Sequence, residues 1–116
     1  MKWKPPTVEE VKKIVEGELA NCDRDQLAIF VRYAVEPYSA PILRYGEMDC
    51  VVVVARKGEE VIYWEDVEEG FNVSPIGEGG RILEHLCNQD ELRHALNAWI
   101  EGRERSTRLG PAVPIK

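Results

Sequence analysis

Residues 48–56 read MDCVVVVAR, and this run decides the fold that the sequence predicts. Its centre is apolar on both faces and rich in β-branched side chains, which is typical of a strand inside a sheet with helix packed on one side. Cys50 is expected to be buried there, where a thiol behaves as a small apolar side chain. The run therefore predicts the central strand of a sheet.

Turn signals after this strand predict a meander of antiparallel hairpins. The signals are Lys57-Gly58, Glu68-Glu69-Gly70 and Gly77-Glu78-Gly79-Gly80. They separate residues 60–65, 71–74 and 81–83, which are expected to be strands. The glycines suit hairpin turns that need positive φ, and they match no phosphate-loop pattern.

Two amphipathic helices flank the predicted strands. A capping box at Thr7 opens a helix over residues 8–20, and Asn88 is a candidate cap for a helix over residues 89–101. Each predicted helix has an apolar face, and the sheet is expected to have one apolar face that the helices cover. The predicted fold is α+β: an antiparallel meander sheet of about four to five strands with an N-terminal and a C-terminal amphipathic helix.

The segment over residues 27–35 allows two interpretations. It is short, rich in β-branched and aromatic residues and stopped by Pro37, which favours a strand. A second helix capped by Asp23 is the alternative. Pro37 and Pro41 are expected to bracket a loop or an edge segment, since proline cannot donate to a central ladder.

Length, charge and composition restrict the class of protein. The 116 residues suit one domain over residues 1–102, followed by a basic tail over residues 103–116 that is either flexible or docked. A net charge of −6 predicts repulsion from nucleic acid and from anionic membranes. No signal peptide or membrane-spanning run is present, so a cytoplasmic location is expected. The three cysteines and two histidines have no disulfide or metal-site spacing, and no cofactor is expected.

The most distinctive stretch is EEVIYWEDVEE, residues 59–69, which has six acidic residues and no basic one. On a strand, Ile62 and Trp64 point to one side of the sheet, whereas Tyr63 and Glu65 point to the other. Carboxylates beside large aromatic side chains are typical of a surface that steers a basic protein partner by charge and anchors it by stacking. The predicted partner-binding residues are Glu60, Tyr63, Trp64, Glu65, Asp66, Glu68 and Glu69.

Other interpretations of the acidic stretch stay open. Paired carboxylates can bind a divalent cation or act as general acid and base, which would suit a small metal-dependent hydrolase using Glu65–Glu69. The acids can instead form a solvated turn that protects an edge strand, and a structural homodimer is a third alternative function. No catalytic residue is predicted, because His85 and Cys87 lack an orienting partner in the sequence.

Three stretches resemble a group of small uncharacterised bacterial proteins: Val53-Val54-Ala55, residues 64–72, and the pattern from Leu92 to Trp99. The resemblance spans residues 25–100 and extends in style to acidic α+β immunity proteins of polymorphic-toxin systems. It carries over no functional residue. It implies a small acidic protein-binding module, of which an immunity-type inhibitor of a basic toxin is one form.

Overall fold

The computed structural model describes residues 6–67, 69–84 and 90–100. In chain order its elements are α1 (Val8–Leu19), α2 (Arg24–Tyr33), β1 (Ala34–Arg44), β2 (Glu47–Lys57), β3 (Glu60–Glu65), β4 (Gly70–Pro75), a short 3₁₀ turn (Glu78–Gly80) and α3 (Leu92–Asn97). Within these ranges the strands form one antiparallel sheet in the order β1-β2-β3-β4, which confirms the predicted α+β meander. No helix in the described ranges has the length and apolar character needed to cross a membrane.

Helix α1 begins at the predicted capping box. Thr7 Oγ1 accepts a hydrogen bond from the Glu10 N–H at 3.1 Å, and Glu10 Oε1 accepts one from the Thr7 N–H at 2.8 Å. These bonds satisfy backbone groups that the first turn of a helix leaves without helical partners. Val11 and Val15 are buried in the core, whereas Glu16 is exposed. The start and the orientation of α1 therefore follow from local sequence.

Residues 24–33 form a helix, so the preferred prediction of a strand over residues 27–35 is wrong and the alternative is confirmed. Asp23 Oδ1 accepts from the Gln26 N–H at 2.8 Å, and Gln26 Oε1 accepts from the Asp23 N–H at 2.7 Å. This reciprocal cap, together with packing of the helix on the core, overrides the local β preference of the segment. The chain becomes extended at Ala34, and the two prolines that follow lie in the edge strand β1.

Strand β2 lies between β1 and β3 and is buried on both faces. Val52 and Val54 pack in the cluster that the helices cover, whereas Val51 and Val53 pack in a cluster on the opposite face. Cys50 is exposed, so the prediction of a buried thiol is wrong. It shares the face of Val52 and Val54 and pairs with Pro41 of the edge strand β1.

A second core lies on the face of the sheet opposite the helices, whereas only one apolar face to be covered was expected for the sheet. Its buried members are Ala40, Ile42, Val51, Val53, Val61, Tyr63, Ile76 and Ile82. The Ile82 N–H donates to the Pro41 carbonyl at 2.9 Å, and the Leu83 N–H donates to the Pro75 carbonyl at 3.1 Å. The chain after β4 thus curls back to β1 and covers this face. The predicted last strand over residues 81–83 is reduced to isolated bridges at Ile82.

Helix α3 packs on both α1 and α2 and completes the core on the helix-covered face of the sheet. It is shorter than the predicted helix over residues 89–101, and the predicted cap Asn88 and the tail over residues 103–116 lie outside the described residues. The Trp99 ring packs edge-on against Tyr33 with ring centroids 5.6 Å apart. Through this contact the turn that follows α3 holds the end of α2.

Candidate functional site

A buried arginine joins three strands at the end of the sheet that carries the β1–β2 and β3–β4 turns. The Arg44 side chain is 2% exposed, and its Nη1 donates to Glu65 Oε2 at 2.7 Å. Its Nε and Nη2 donate to Asp49 Oδ2 at 3.1 and 2.9 Å, and Nη2 lies 3.0 Å from Asp66 Oδ1. We call these four residues the arginine cluster. It connects β1, β2 and the end of β3.

Contacts within the cluster favour the ionised forms of Asp49 and Arg44. Burial acts to raise the pKa of Asp49, but hydrogen bonds from Arg44 and from the Cys50 N–H outweigh burial, so the pKa is lowered. Burial likewise acts to lower the pKa of Arg44, and hydrogen bonding to Asp49 together with the charge of Asp66 raises it. A guanidinium binds carboxylates through a rigid fork of donors, which fixes geometry as well as charge.

Three predicted partner-binding residues are buried, so the expectation that they face a partner from an exposed turn is wrong. Tyr63 and Glu65 are fully buried, and Asp66 is nearly so. Tyr63 Oη donates to the Glu84 carbonyl at 2.9 Å, which holds the returning chain over the second core. Glu65 and Asp66 pair with Arg44. The positive charge that pairs with them belongs to Arg44 in β1, so the sequence of the acidic stretch alone does not reveal it.

The remaining predicted residues differ in their surroundings. Glu60 is partly buried and accepts from Trp99 Nε1–H at 2.9 Å, so its carboxylate anchors the turn that follows α3. Trp64 is partly buried and packs edge-on against Phe71 with ring centroids 4.9 Å apart. Glu69 is exposed, with a left-handed φ of 61° that is uncommon for a residue other than glycine. Glu68 lies outside the described residues.

A cleft of about 380 Å³ lies beside the beginning of α1 and the end of β3. It is lined by Pro6, Glu10, Lys13, Ile14, Trp64, Asp66 and Glu69. We call it the acidic cleft, because its described lining has three carboxylates and one ammonium. It brings together three predicted residues, Trp64, Asp66 and Glu69, with side chains of α1 that the sequence analysis did not select. The spacing of Glu10 and Ile14 by one helical turn is the signal that places them on one side of α1.

Four exposed apolar side chains of the described ranges lie at the same end of the sheet as the arginine cluster. Leu43, Tyr45 and Met48 belong to the β1–β2 hairpin and Val67 to the β3–β4 turn, with exposures from 42% for Val67 to 70% for Tyr45. Leu43 and Met48 are direct cross-strand partners. We call these four residues the apolar tip. These four residues are not among the predicted site residues, although apolar residues on both sides of a Tyr45-Gly46 turn are a visible hairpin signal.

A second, smaller groove of about 220 Å³ lies between α1, α2 and β1. Its apolar lining includes Leu19, Phe30 and Pro37, and it contains none of the predicted site residues. At its edge Lys12 Nζ lies 2.9 Å from Glu36 Oε2, and this hydrogen bond raises the pKa of Lys12. The groove is therefore separate from the arginine cluster, the acidic cleft and the apolar tip.

No group of three or more His, Cys, Asp or Glu side chains suited to hold a metal ion occurs in the described part of the chain. Comparison of the chain with protein-family models, with curated proteins and with solved structures finds no match. The chemistry of the site is therefore inferred from its own geometry.

Proposed function

We propose that this protein is a small protein-binding module that docks a basic partner on the end of its sheet formed by the apolar tip and the acidic cleft. The observation that carries the proposal is the concentration of exposed apolar side chains beside a cleft lined by Glu10, Asp66 and Glu69. Exposed apolar patches with polar rims mark sites of protein association.

Charge supports a basic partner. The chain carries a net charge of −6, and the lining of the acidic cleft repeats this sign locally. Complementary charge steers a basic partner during diffusional encounter and disfavours acidic competitors. The immunity-type inhibitor of a basic toxin is the narrower form of this proposal, and it rests on the resemblance of residues 53–55, residues 64–72 and the pattern from Leu92 to Trp99.

Tyr45 is the residue expected to contribute most to affinity. Tyrosine supplies a large rigid contact area together with a polar hydroxyl, and it is enriched among residues that dominate binding energy. Tyr45 has a φ of 54° and is followed by Gly46 with a φ of 78°, so the hairpin holds the ring at the tip of the molecule. The buried Arg44 immediately before it fixes the base of this hairpin.

A photo-crosslinking amino acid placed at position 45 tests the proposal in the native host. The matched control is the same substitution at Val31, which is 78% exposed on α2. We expect position 45, and not position 31, to capture a protein of net positive charge. Equal capture at both positions, or capture of acidic proteins at position 45, would overturn the proposal. Capture of a second copy of the chain would instead establish the homodimer.

The affinity of a captured partner provides the second measurement. Tyr45→Asn removes the ring and keeps a residue that tolerates left-handed φ, so the hairpin should remain folded. We expect the dissociation constant to rise about tenfold or more for Tyr45→Asn. Val31→Asn should leave it unchanged.

The metal-dependent hydrolase has less support. Glu65 and Asp66, two of its carboxylates, are engaged by Arg44 at 2.7 and 3.0 Å. A cation in place of the guanidinium would have to break a buried ion pair, which is costly. Calorimetric titration with Mg²⁺, Mn²⁺ and Ca²⁺ tests this alternative, and heat of binding below millimolar concentration would revive it.

A further inference from the structure

We infer that the acidic cleft receives one arginine side chain of the basic partner, an inference that rests on the proposed function. The cleft combines space, an aromatic wall and excess negative charge. Its volume of about 380 Å³ equals that of roughly a dozen water molecules at about 30 Å³ each, which is room for one long side chain. It is too small for a whole helix.

The aromatic wall is Trp64. Its ring is held by the edge-on contact with Phe71 and by its place opposite Val52 in the ladder. Tryptophan is the strongest aromatic partner for a cation placed over its face, and a planar guanidinium can also stack on it. A ring that is already fixed loses little conformational freedom when a ligand stacks on it.

The carboxylates surround this wall from different elements. Glu10 is positioned by the capping box, in which one of its oxygens accepts the Thr7 N–H at 2.8 Å. Asp66 lies at the inner side beside the arginine cluster, and Glu69 is exposed on the β3–β4 turn. The fork of donors on a guanidinium can contact carboxylates on two sides at once, whereas an ammonium acts as a single point charge. This arrangement favours arginine over lysine.

Lys13 is the cation that already lines the cleft. Of the three carboxylates in the lining, Asp66 already pairs with Arg44, so Glu10 and Glu69 oppose the single charge of Lys13, and an added guanidinium reduces the imbalance. Lys13 repels that guanidinium, because like charges in one site oppose each other. Removing the charge of Lys13 should therefore strengthen binding, which a merely structural cleft would not do.

The experiment uses capped arginine, N-acetyl-arginine methylamide, titrated into the full chain and followed by amide and indole NMR signals. Capped citrulline is the control ligand, because it has nearly the same shape without the charge. We expect capped arginine to shift the Trp64 indole signal and to bind at least about fivefold more tightly than citrulline. Capped lysine should bind more weakly than arginine.

Two exposed positions supply the variants. Glu69→Gln should weaken binding of capped arginine about two- to fivefold, and Lys13→Gln should tighten it by a similar factor. Equal binding of arginine and citrulline, or unchanged affinity in both variants, would overturn the inference. Equal affinity for capped lysine and capped arginine would overturn the choice of arginine. Binding of capped arginine without capture of a basic protein at position 45 would contradict the proposed function alone. Capture of a basic protein without binding of capped arginine would contradict the arginine site in the acidic cleft alone.

Discussion

Arg44 is the residue on which the charged end of the molecule depends. It contacts Asp49, Glu65 and Asp66, and two of these carboxylates are as deeply buried as Arg44 itself. A buried ion pair contributes little net stability compared with an apolar replacement of the whole group, but loss of one partner is costly. The cluster therefore acts chiefly as a fixed connection between strand ends.

Arg44→Met is expected to lower the free energy of unfolding by about 3 kcal/mol, because buried carboxylates lose the guanidinium that they contact. Arg44→Lys should lower it less, since an ammonium keeps the charge but not the fork of donors. Urea unfolding measures both. Arg24→Met, on the exposed first turn of α2, is the control and should change stability by less than about 0.5 kcal/mol. A loss below about 1 kcal/mol for Arg44→Met would show that the cluster is not a strong connection.

The lowered pKa of Asp49 predicts loss of stability in acid. A carboxyl group whose folded pKa lies below its unfolded value, here 3.8, stabilises the fold when pH is above that value. The contribution disappears as pH falls through the folded pKa. We expect the urea midpoint of the native chain to fall more steeply below about pH 4 than that of Asp49→Asn, so that the two converge in acid. Curves that stay parallel would contradict the assignment.

At the scale of single elements, helix capping decides where a helix forms more than amino-acid composition does. The spacing of Asp23 and Gln26 repeats that of Thr7 and Glu10, and both pairs form reciprocal caps. Asp23→Ala is expected to lower the free energy of unfolding by about 1 kcal/mol, because it removes a side-chain acceptor from the first turn of α2. Thermal or urea unfolding measures this loss. Glu16→Ala, on the exposed face of α1, should be neutral, and an equal loss in both variants would contradict a capping role.

The elements that sequence analysis predicted are those with local signals. The capping box at Thr7, the apolar run of β2 and the turn at Gly58 each depend on residues close in sequence, and each element formed where expected. Helix α2 was mistaken for a strand because β-branched composition was given more weight than the cap at Asp23. Its packing against the core through Ile29, Phe30 and Tyr33 is a tertiary effect, which the local preference of the segment does not reveal.

The candidate site also contains residues that local sequence predicts and residues whose surroundings depend on other strands. Trp64, Asp66 and Glu69 come from one stretch of sequence and line one cleft, although Asp66 is buried there against Arg44. Tyr63 and Glu65 were placed on the surface by the same argument and are buried. The reason is that Arg44 and the second core reach them from other strands. Pairing across strands depends on register, which the composition of the acidic stretch does not reveal.

At the scale of the whole molecule, the returning chain after β4 is as important as the helices. Ile82 is buried between β1 and the end of β4, while its neighbour Leu83 is exposed. Ile82→Ala is expected to lower the free energy of unfolding by about 2–4 kcal/mol, because it leaves a cavity in the second core. Leu83→Ala is the matched control and should cost far less. Similar losses for the two variants in urea unfolding would contradict the packing described for this face.

The same chain segment also affects how copies of the protein meet at high concentration. Along the outer side of β1, the Pro41 carbonyl is already occupied by Ile82, and Pro37 and Pro41 have no N–H to offer. A neighbouring chain that paired with β1 there would meet an interrupted row of hydrogen-bond donors and acceptors. Such interruptions oppose edge-to-edge association of sheets. The protein should consequently resist association through the edge of β1 when it is abundant.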